Sequence, residues 1–353
     1  MIDAQTFAPT LIAWHREHGR HDLPWQNTRD PYRIWLSEVM LQQTQVASVI
    51  EYFKRFLARF PDIATLAQAP LDDVLSLWSG LGYYSRARNL HLAAQRVMAL
   101  HKGRFPQSLA EIEALPGIGR STAAAIAAFA FDTPAPILDG NVKRVFARLL
   151  GIAGYPGDRK VEVEFWRHAE RMLPRDANDM SVYTQALMDF GATLCTRSKP
   201  ACMRCPFQSN CTAWNTGRVA ELPEPRPRKA LPSRELRVLI LLDSLGRIYF
   251  EKRPPSGIWG GMLSLPELQL DADVIAACRE KLGAEVEALP ALDPFVHTFT
   301  HFRLTLHPQP LRLTSLMNSC AQSEAIWLKR DDALTKALPA PIRQFVASCA
   351  VPA

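Results

Sequence analysis

Apolar side chains recur at alternating intervals of three and four residues through 34–57, 86–100, 121–130, 142–150 and 182–194. That is the period of helices with one buried face. After a proline-rich break, the texture changes. Arg237-Val-Leu-Ile-Leu-Leu-Asp243 and Ile248-Tyr-Phe-Glu-Lys252 are short β-type runs, and Ser244-Leu-Gly-Arg247 between them predicts a hairpin. His297–Leu306 alternates as a single strand, and residues 272–282 predict one helix. The break itself, Glu221–Pro232, holds four prolines in twelve residues. Each removes a backbone donor and disfavours helix in the residue before it. The pattern therefore predicts an all-α domain over 1–215, an extended basic linker over 216–234 and a small α+β domain over 235–353. No internal repeat is evident.

Composition narrows the class. With 353 residues and 48% hydrophobic side chains, the chain is long enough for two or three cores, which excludes a disordered or fibrous protein. No apolar run approaches the roughly 18 residues of a membrane span. The N-terminal stretch lacks a basic region leading into an apolar one, so a cytoplasmic location is expected. The net charge of +6 is unevenly spread: residues 1–215 carry 24 basic and 20 acidic side chains, 216–234 carry 5 and 2, and 235–353 carry 12 and 13. The excess thus lies on the helical part and the linker, which hints at a polyanionic partner there.

Four of the seven cysteines cluster as Cys195-x6-Cys202-x2-Cys205-x5-Cys211. Four thiolates within 17 residues suit a 4Fe–4S cluster or a structural zinc. Only one pair has the zinc-knuckle spacing, and the wider loops favour the cluster; unligated thiols are the third reading. Arg197, Lys199 and Arg204 in the same loops neutralise an anionic cluster, reach phosphates or are solvated. Cys278, Cys320 and Cys349 lie among apolar residues and read as small core side chains.

Two carboxylates stand out. Asp30-Pro31 opens a helix on which Ile34, Glu38, Leu41 and Gln45 share a stripe, so Glu38 is framed by apolar neighbours. Partial desolvation there raises a carboxyl pKa and favours a proton donor near neutral pH. The plainer reading is a boundary glutamate paired with a cation. Asp139, in Ile137-Leu-Asp-Gly-Asn-Val-Lys-Arg144, immediately precedes a helix marked by Val142, Val145, Phe146, Leu149 and Leu150. A helix start favours its ionised form, and a simple N-cap is the bland alternative.

Other motifs suit nucleic acid. Leu115-Pro-Gly-Ile-Gly-Arg-Ser-Thr-Ala123 is a short glycine turn opening an alanine-rich helix, where free N–H groups favour a phosphate. It is not a dinucleotide-binding turn, because no strand precedes it. Gln42, Gln43 and Gln45 can read base edges or wedge into a stack. Leu77–Leu90 adds glycines, Tyr83, Tyr84, Arg86 and Arg88 in a turn that can fill a duplex void; a packed helix junction is the alternative.

Taken together, the Leu-Pro-Gly-Ile-Gly hairpin, Asp139 and the four-cysteine loop resemble the helix-hairpin-helix DNA glycosylase superfamily of the endonuclease III type. Trp35-Leu-Ser-Glu-Val-Met-Leu-Gln-Gln-Thr-Gln-Val46 and Gly80-Leu-Gly-Tyr-Tyr-Ser-Arg86 resemble, within it, the adenine DNA glycosylases of the MutY type. The resemblance implies excision of adenine mispaired with 8-oxoguanine or guanine in double-stranded DNA, after the base is flipped out. It implies a 4Fe–4S cluster on Cys195, Cys202, Cys205 and Cys211 and a monomer working without a membrane. It casts Glu38 as the acid that protonates adenine, Asp139 as the stabiliser of the oxocarbenium-like sugar and Asn141 as the residue orienting Asp139. Trp25, Gln26, Leu41 and Asp189 match an adenine pocket. Gln43 and Tyr83 match residues that insert into the duplex, and Gly117, Gly119, Ser121 and Lys143 match the DNA-binding face. Glycosylase–lyase relatives carry a lysine where Ser121 stands, so a monofunctional enzyme is expected.

Gly257-Ile-Trp-Gly-Gly-Met-Leu-Ser-Leu-Pro-Glu267 resembles a MutT-type, or Nudix, domain. Gly261 and Glu267 fit its Gly-x5-Glu, but Ile275 and Ala276 stand where Arg-Glu should follow, and the paired glutamates are missing. Magnesium lacks its oxygen ligands there, so the domain is expected to recognise 8-oxoguanine rather than hydrolyse nucleotides. Phe299-Thr300-His301 matches the family's Phe-Ser-His loop, with threonine for serine. The alternatives are a pyrimidine glycosylase–lyase, which Ser121 and the extra domain oppose, and a non-catalytic iron–sulfur DNA sensor, which needs no Glu38–Asp139 pair.

Overall fold

In the computed structural model, the described residues are 3–227, 230–254, 257–316 and 326–348; Cys320, Cys349 and the linker residues Arg228 and Lys229 lie outside them. The helices before the break are α1 (Ala4–His18), α2 (Pro31–Leu41), α3 (Val46–Arg59), α4 (Ile63–Gln68), α5 (Leu71–Trp78), α6 (Ser85–His101), α7 (Leu109–Glu113), α8 (Arg120–Phe131), α9 (Gly140–Leu150), α10 (Arg159–Arg171), α11 (Met180–Asp189) and α12 (Thr212–Asn215). Asp3, Asp30, Ser108, Asp139 and Asp158 cap five of them by accepting from first-turn N–H groups. The periodic stretch 34–57 is two helices, not one, because the chain turns at Gln43, whose φ is 57°. That break also removes Gln45 from the Glu38 stripe and makes it the N-cap of α3. Past Asp189, α11 continues as a π turn over Phe190–Leu194.

The chain divides into two compact units, 1–68 with 89–228 and 69–88 with 229–353. The first is built on a core of Phe7, Leu11, Phe146, Phe165, Tyr183, Phe190 and Phe207, with Phe7 stacked on Phe207 at 5.0 Å. Leu222 belongs to that core, and its carbonyl accepts from Arg148 Nε at 2.9 Å. The extended stretch is therefore shorter than 216–234, because Leu222 is packed and Ser233 already opens a strand.

The second unit carries β1 (Ser233–Leu242), β2 (Ile248–Lys252), β3 (Leu263–Ser264), β4 (Glu267–Leu268), β5 (Ala284–Ala288), β6 (Phe295–Thr298), β7 (Arg303–Leu316) and β8 (Ile326–Leu328), with α13 (Val274–Leu282), α14 (Arg330–Thr335) and α15 (Ala340–Ser348). Its sheet runs β3-β2-β1-β7-β5; β1 and β7 pair in parallel, and the other pairs are antiparallel. Helix α5 and the turn after it belong here, held by Arg343 Nη2 to Ser79 Oγ at 2.9 Å and Arg88 Nη1 to the Gly260 carbonyl at 2.7 Å. The single strand expected over 297–306 is instead a hairpin. β6 and β7 pair with Thr298 opposite Arg303, and Phe299 N–H donates to the Phe302 carbonyl at 2.9 Å. Among the described residues, no helix is long and apolar enough to cross a membrane.

Candidate active site

Glu38 lies in the middle of α2, between the buried Trp35, Ser37, Val39 and Met40. Asp139 caps α9, its Oδ1 accepting from the N–H of Asn141 at 2.9 Å and of Val142 at 2.8 Å. The two carboxyls lie within each other's field. Burial, and then the Asp139 charge, pushes Glu38 up to about 8. Burial also raises Asp139, against the lowering effect of its N–H donors and of Arg144. This corrects the expectation that the helix start alone keeps Asp139 low. Two coupled carboxyls shed one proton first. Only Asp139 has N–H donors and a guanidinium stabilising its anion, so the charge settles there and Glu38 keeps the proton.

Asn141 is fixed from both ends. Its Oδ1 accepts from Arg144 Nη2 at 2.9 Å, which turns Nδ2 towards Asp139 Oδ2, 3.5 Å away. Arg144 also donates to the Gly191 carbonyl at 2.6 Å and the Cys195 carbonyl at 2.8 Å. A Cβ on Gly191 would lie 2.7 Å from Asn141 Cβ, so only glycine admits this approach. Arg144 and Gly191 escaped the sequence reading; the signal for Arg144 was its place one turn after Asn141, on the face turned to the cysteine loop.

Cys195, Cys202, Cys205 and Cys211 are all free and partly buried. Burial, with the facing thiols adding, pushes Cys205 up to about 12 and raises Cys202 and Cys211. Arg148, 4% exposed, braces the loop by donating to the Thr196 and Arg197 carbonyls at 2.7 and 2.9 Å and towards Cys195 Sγ at 3.6 Å. Thiols reluctant to ionise alone ionise readily against a bound cation, so the donor set fits a metal group. Among the described residues, no three His, Cys, Asp or Glu side chains converge on one metal ion.

The hairpin joins α7 to α8. Gly117 has a φ of 79°, and a Cβ there would stand 2.7 Å from Asn89 Cβ. Gly119 caps α8 and faces open space. Ser121 Oγ accepts the Leu138 N–H at 2.9 Å, which places residue 121 beside the Asp139 turn. Lys143 is tied to Glu162 Oε1 at 2.6 Å. Gln43 is exposed on its left-handed turn. In the second unit, Tyr83 is 45% exposed with a φ of 49°, while the buried Arg86 lies against the Tyr83 and Trp78 rings and donates to the Gly82 carbonyl at 3.1 Å.

The four pocket residues are less alike. Leu41 is half-buried at the end of α2. Trp25 is buried edge-on against Phe53 at 5.5 Å. Gln26 braces its own loop, with Nε2 to the Arg20 carbonyl at 2.9 Å and Oε1 from Leu23 N–H at 3.0 Å. Asp189 is fully buried and saturated: Arg20 donates from its backbone N–H at 2.8 Å and its guanidinium, Gln185 Nε2 donates at 3.0 Å, and His15 Nε2 stands 3.2 Å away. Asp189 thereby pins the 19–27 loop to α11.

In the second unit, the turn 299–302 presents Thr300 and His301 to solvent, with Thr300 Oγ1 3.5 Å from His301 Nδ1. Phe299 anchors the turn by stacking on Phe302 at 4.5 Å and packing on His297 and Trp259. Glu267 is paired with Arg253, and Gly261 holds a φ of 75° in the turn before β3.

Comparisons with known proteins match the stretches before and after the proline-rich break separately. Residues 36–171 match the HhH-GPD superfamily of base excision DNA repair proteins, and 237–348 match the NUDIX domain family. An adenine DNA glycosylase of Buchnera aphidicola subsp. Acyrthosiphon pisum (strain APS) is 35% identical over 96% of this chain and 96% of its own length. That of Homo sapiens is 31% identical over 98% of this chain and 74% of its own. Among solved structures, a thermostable thymine-DNA glycosylase shares 28% identity with a TM-score of 0.53, over 60% of this chain and 97% of that one. Endonuclease III in a non-covalent DNA complex matches in fold, with 24% identity and a TM-score of 0.52 over 62% of this chain and 99% of that one.

Proposed function

Because this chain belongs to the adenine DNA glycosylases, enzymes of base excision repair, we propose that it hydrolyses the N-glycosidic bond of adenine mispaired with 8-oxoguanine or guanine in duplex DNA. One observation carries the reading: Glu38 lies within the field of Asp139, and the donors that stabilise an anion are gathered on Asp139. With the adenine flipped out of the stack, the Glu38 carboxylic acid gives its proton to the ring. The C1′–N9 bond then breaks, and its electron pair leaves with the base. Asp139 faces the cationic sugar through Oδ2, since Oδ1 is spent on two N–H groups. Water adds to C1′ and loses a proton, leaving an abasic site. Asn141, steered by Arg144, fixes the aim of Oδ2.

Ser121 beside Asp139 offers no amine, which supports a glycosylase without lyase activity. The four cysteines suit a 4Fe–4S cluster better than zinc. The x6 and x5 spacings around a single Cys-x2-Cys pair support that choice. Cys195, Cys202, Cys205 and Cys211 would hold the cluster, which would cross-link the loop that Arg144 and Arg148 join to α9. Gln43 and Tyr83 insert into the duplex, Gly117, Gly119 and Lys143 lie along its phosphates, and Phe299, Thr300 and His301 meet the oxidised base. The enzyme works as a monomer on the chromosome in the cytoplasm.

The test uses duplexes with A opposite 8-oxoguanine, A opposite G, and thymine glycol. Adenine should be released from the first two only, with alkali needed to cut the strand. Strand cleavage coupled to base release, trapped by borohydride, contradicts the monofunctional reading. Asp139→Asn should keep duplex binding and lose base release; a pure sensor would show neither release nor any effect.

A further inference from the structure

The second unit holds a set of charges that the proposed reaction does not use. Glu251 is near the end of β2, and Arg253 directly follows the strand, its N–H donating to the Met262 carbonyl at 2.8 Å. Ser264 on β3 is the cross-strand partner of Glu251, and Glu267 opens β4. Arg253 Nη1 donates to Glu267 Oε1, and its guanidinium lies 5.8 Å from the Trp259 ring centre. Glu251 feels the negative charge of Glu267 and the positive charges of Arg253 and Lys281. Two polar atoms of this set are sealed from solvent without a protein partner: Arg253 Nε and Ser264 Oγ. Ser264 is 1% exposed.

A half-buried carboxylate pair beside a buried hydroxyl is an oxygen set suited to a hard divalent cation. Such an ion binds through one or two carboxylates and fills its remaining positions with water. The guanidinium brings one positive charge to the same place and is held there by its bond to Glu267. We propose that Arg253 is the resident cation of the Glu251–Glu267 pair, standing where a divalent metal would sit and keeping this unit free of one. Arg253 Nε and Ser264 Oγ, both sealed from solvent without a protein partner, show that the set is not closed by its own hydrogen bonds. The lack of hydrolase chemistry expected of this unit would then have a second cause, independent of the Arg-Glu missing at 275–276. Even a complete α13 would find its partner carboxylates already neutralised.

The experiment titrates the full chain, without DNA, with Mn2+ alone and reads free Mn2+ by electron paramagnetic resonance. Wild type should bind no Mn2+ that Glu251→Gln removes. Arg253→Ala should bind one equivalent at least about tenfold more tightly than wild type, and Arg253→Ala with Glu251→Gln should lose it. If Arg253→Ala melts too low to titrate, Arg253→Met restores the apolar stem over Trp259, and Mn2+ should raise its melting temperature and leave wild type unchanged. The proposal is overturned if wild type binds Mn2+ through Glu251, or if a folded Arg253 variant binds no more than wild type. Base release from A opposite 8-oxoguanine, measured on the same variants, is a separate readout, so this inference and the glycosylase reading fail independently.

Discussion

Each unit of this chain carries a pair of carboxylates partly withdrawn from solvent, and the two are handled in opposite ways. In the helical unit, Glu38 and Asp139 are both raised by burial, and the donors that hold an anion are gathered on Asp139 alone. In the sheet unit, Glu251 is raised by burial and by Glu267, but Arg253 is bonded to Glu267 and its charge reaches Glu251. The starting ingredients are the same. An acid that keeps its proton needs a partner whose charge is stabilised separately, whereas a cation shared by a pair works against holding a proton on either member. Chemistry therefore belongs to the asymmetric pair.

The largest effect should come from removing the proton donor. Glu38→Gln keeps the shape and a hydrogen-bonding group but not the acid, so single-turnover adenine release should fall by about 10²–10⁴-fold with duplex affinity retained. Glu251→Gln should leave release within about twofold, since Glu251 has no part in the proposed chemistry and an unstrained substitution shifts little. Equal losses from both would remove the distinction between the pairs.

Next comes the aim of Asp139. Gly191→Ala places a methyl 2.7 Å from Asn141 Cβ, and the neighbour must move. Misplacing an orienting group by a fraction of an ångström should slow release about 10–100-fold while binding holds. A rate unchanged beside an intact fold would mean that Asn141 does not position the aspartate.

The pH dependence follows from Glu38. Its pKa is pushed up to about 8, and the protonated form is the working one, so release should fall about tenfold as pH rises from about 7 to 9. The folded chain binds a proton that the unfolded chain has lost between 4.5 and about 8, so stability also declines with rising pH across that window. Glu38→Gln should flatten this decline, as followed by melting temperature at several pH values.

Much of this site was legible in one sequence because it rests on local rules. The apolar stripe around Glu38, the cap position of Asp139 and the spacing of the four cysteines are all properties of consecutive residues. What escaped depends on pairs distant in the chain. The saturation of Asp189 by Arg20 and His15 spans about 170 residues, and Arg144 meets Gly191 across 47. The net rise of Asp139 is a contest between burial and hydrogen bonding, which no local pattern resolves. The strand expected over 297–306 failed for a related reason: a tight turn between two paired strands keeps the alternation and hides the reversal.

That turn sets the smallest and most specific effect. Thr300 is exposed at its tip, and Phe299 is locked below by Phe302, His297 and Trp259, so the hydroxyl is presented on a rigid mount. Thr300→Ala deletes one hydrogen-bonding group without disturbing that anchor. One such bond is worth about 0.5–1.5 kcal/mol, so the preference for 8-oxoguanine over guanine opposite adenine should narrow by about 2–10-fold, with the rate on A opposite G unchanged. Phe299→Ala removes the mount itself and should narrow the preference at least as far, with a loss of stability that Thr300→Ala does not share. If single-turnover discrimination survives both changes, recognition of the oxidised base lies elsewhere in the chain, and the turn is only a strand connection.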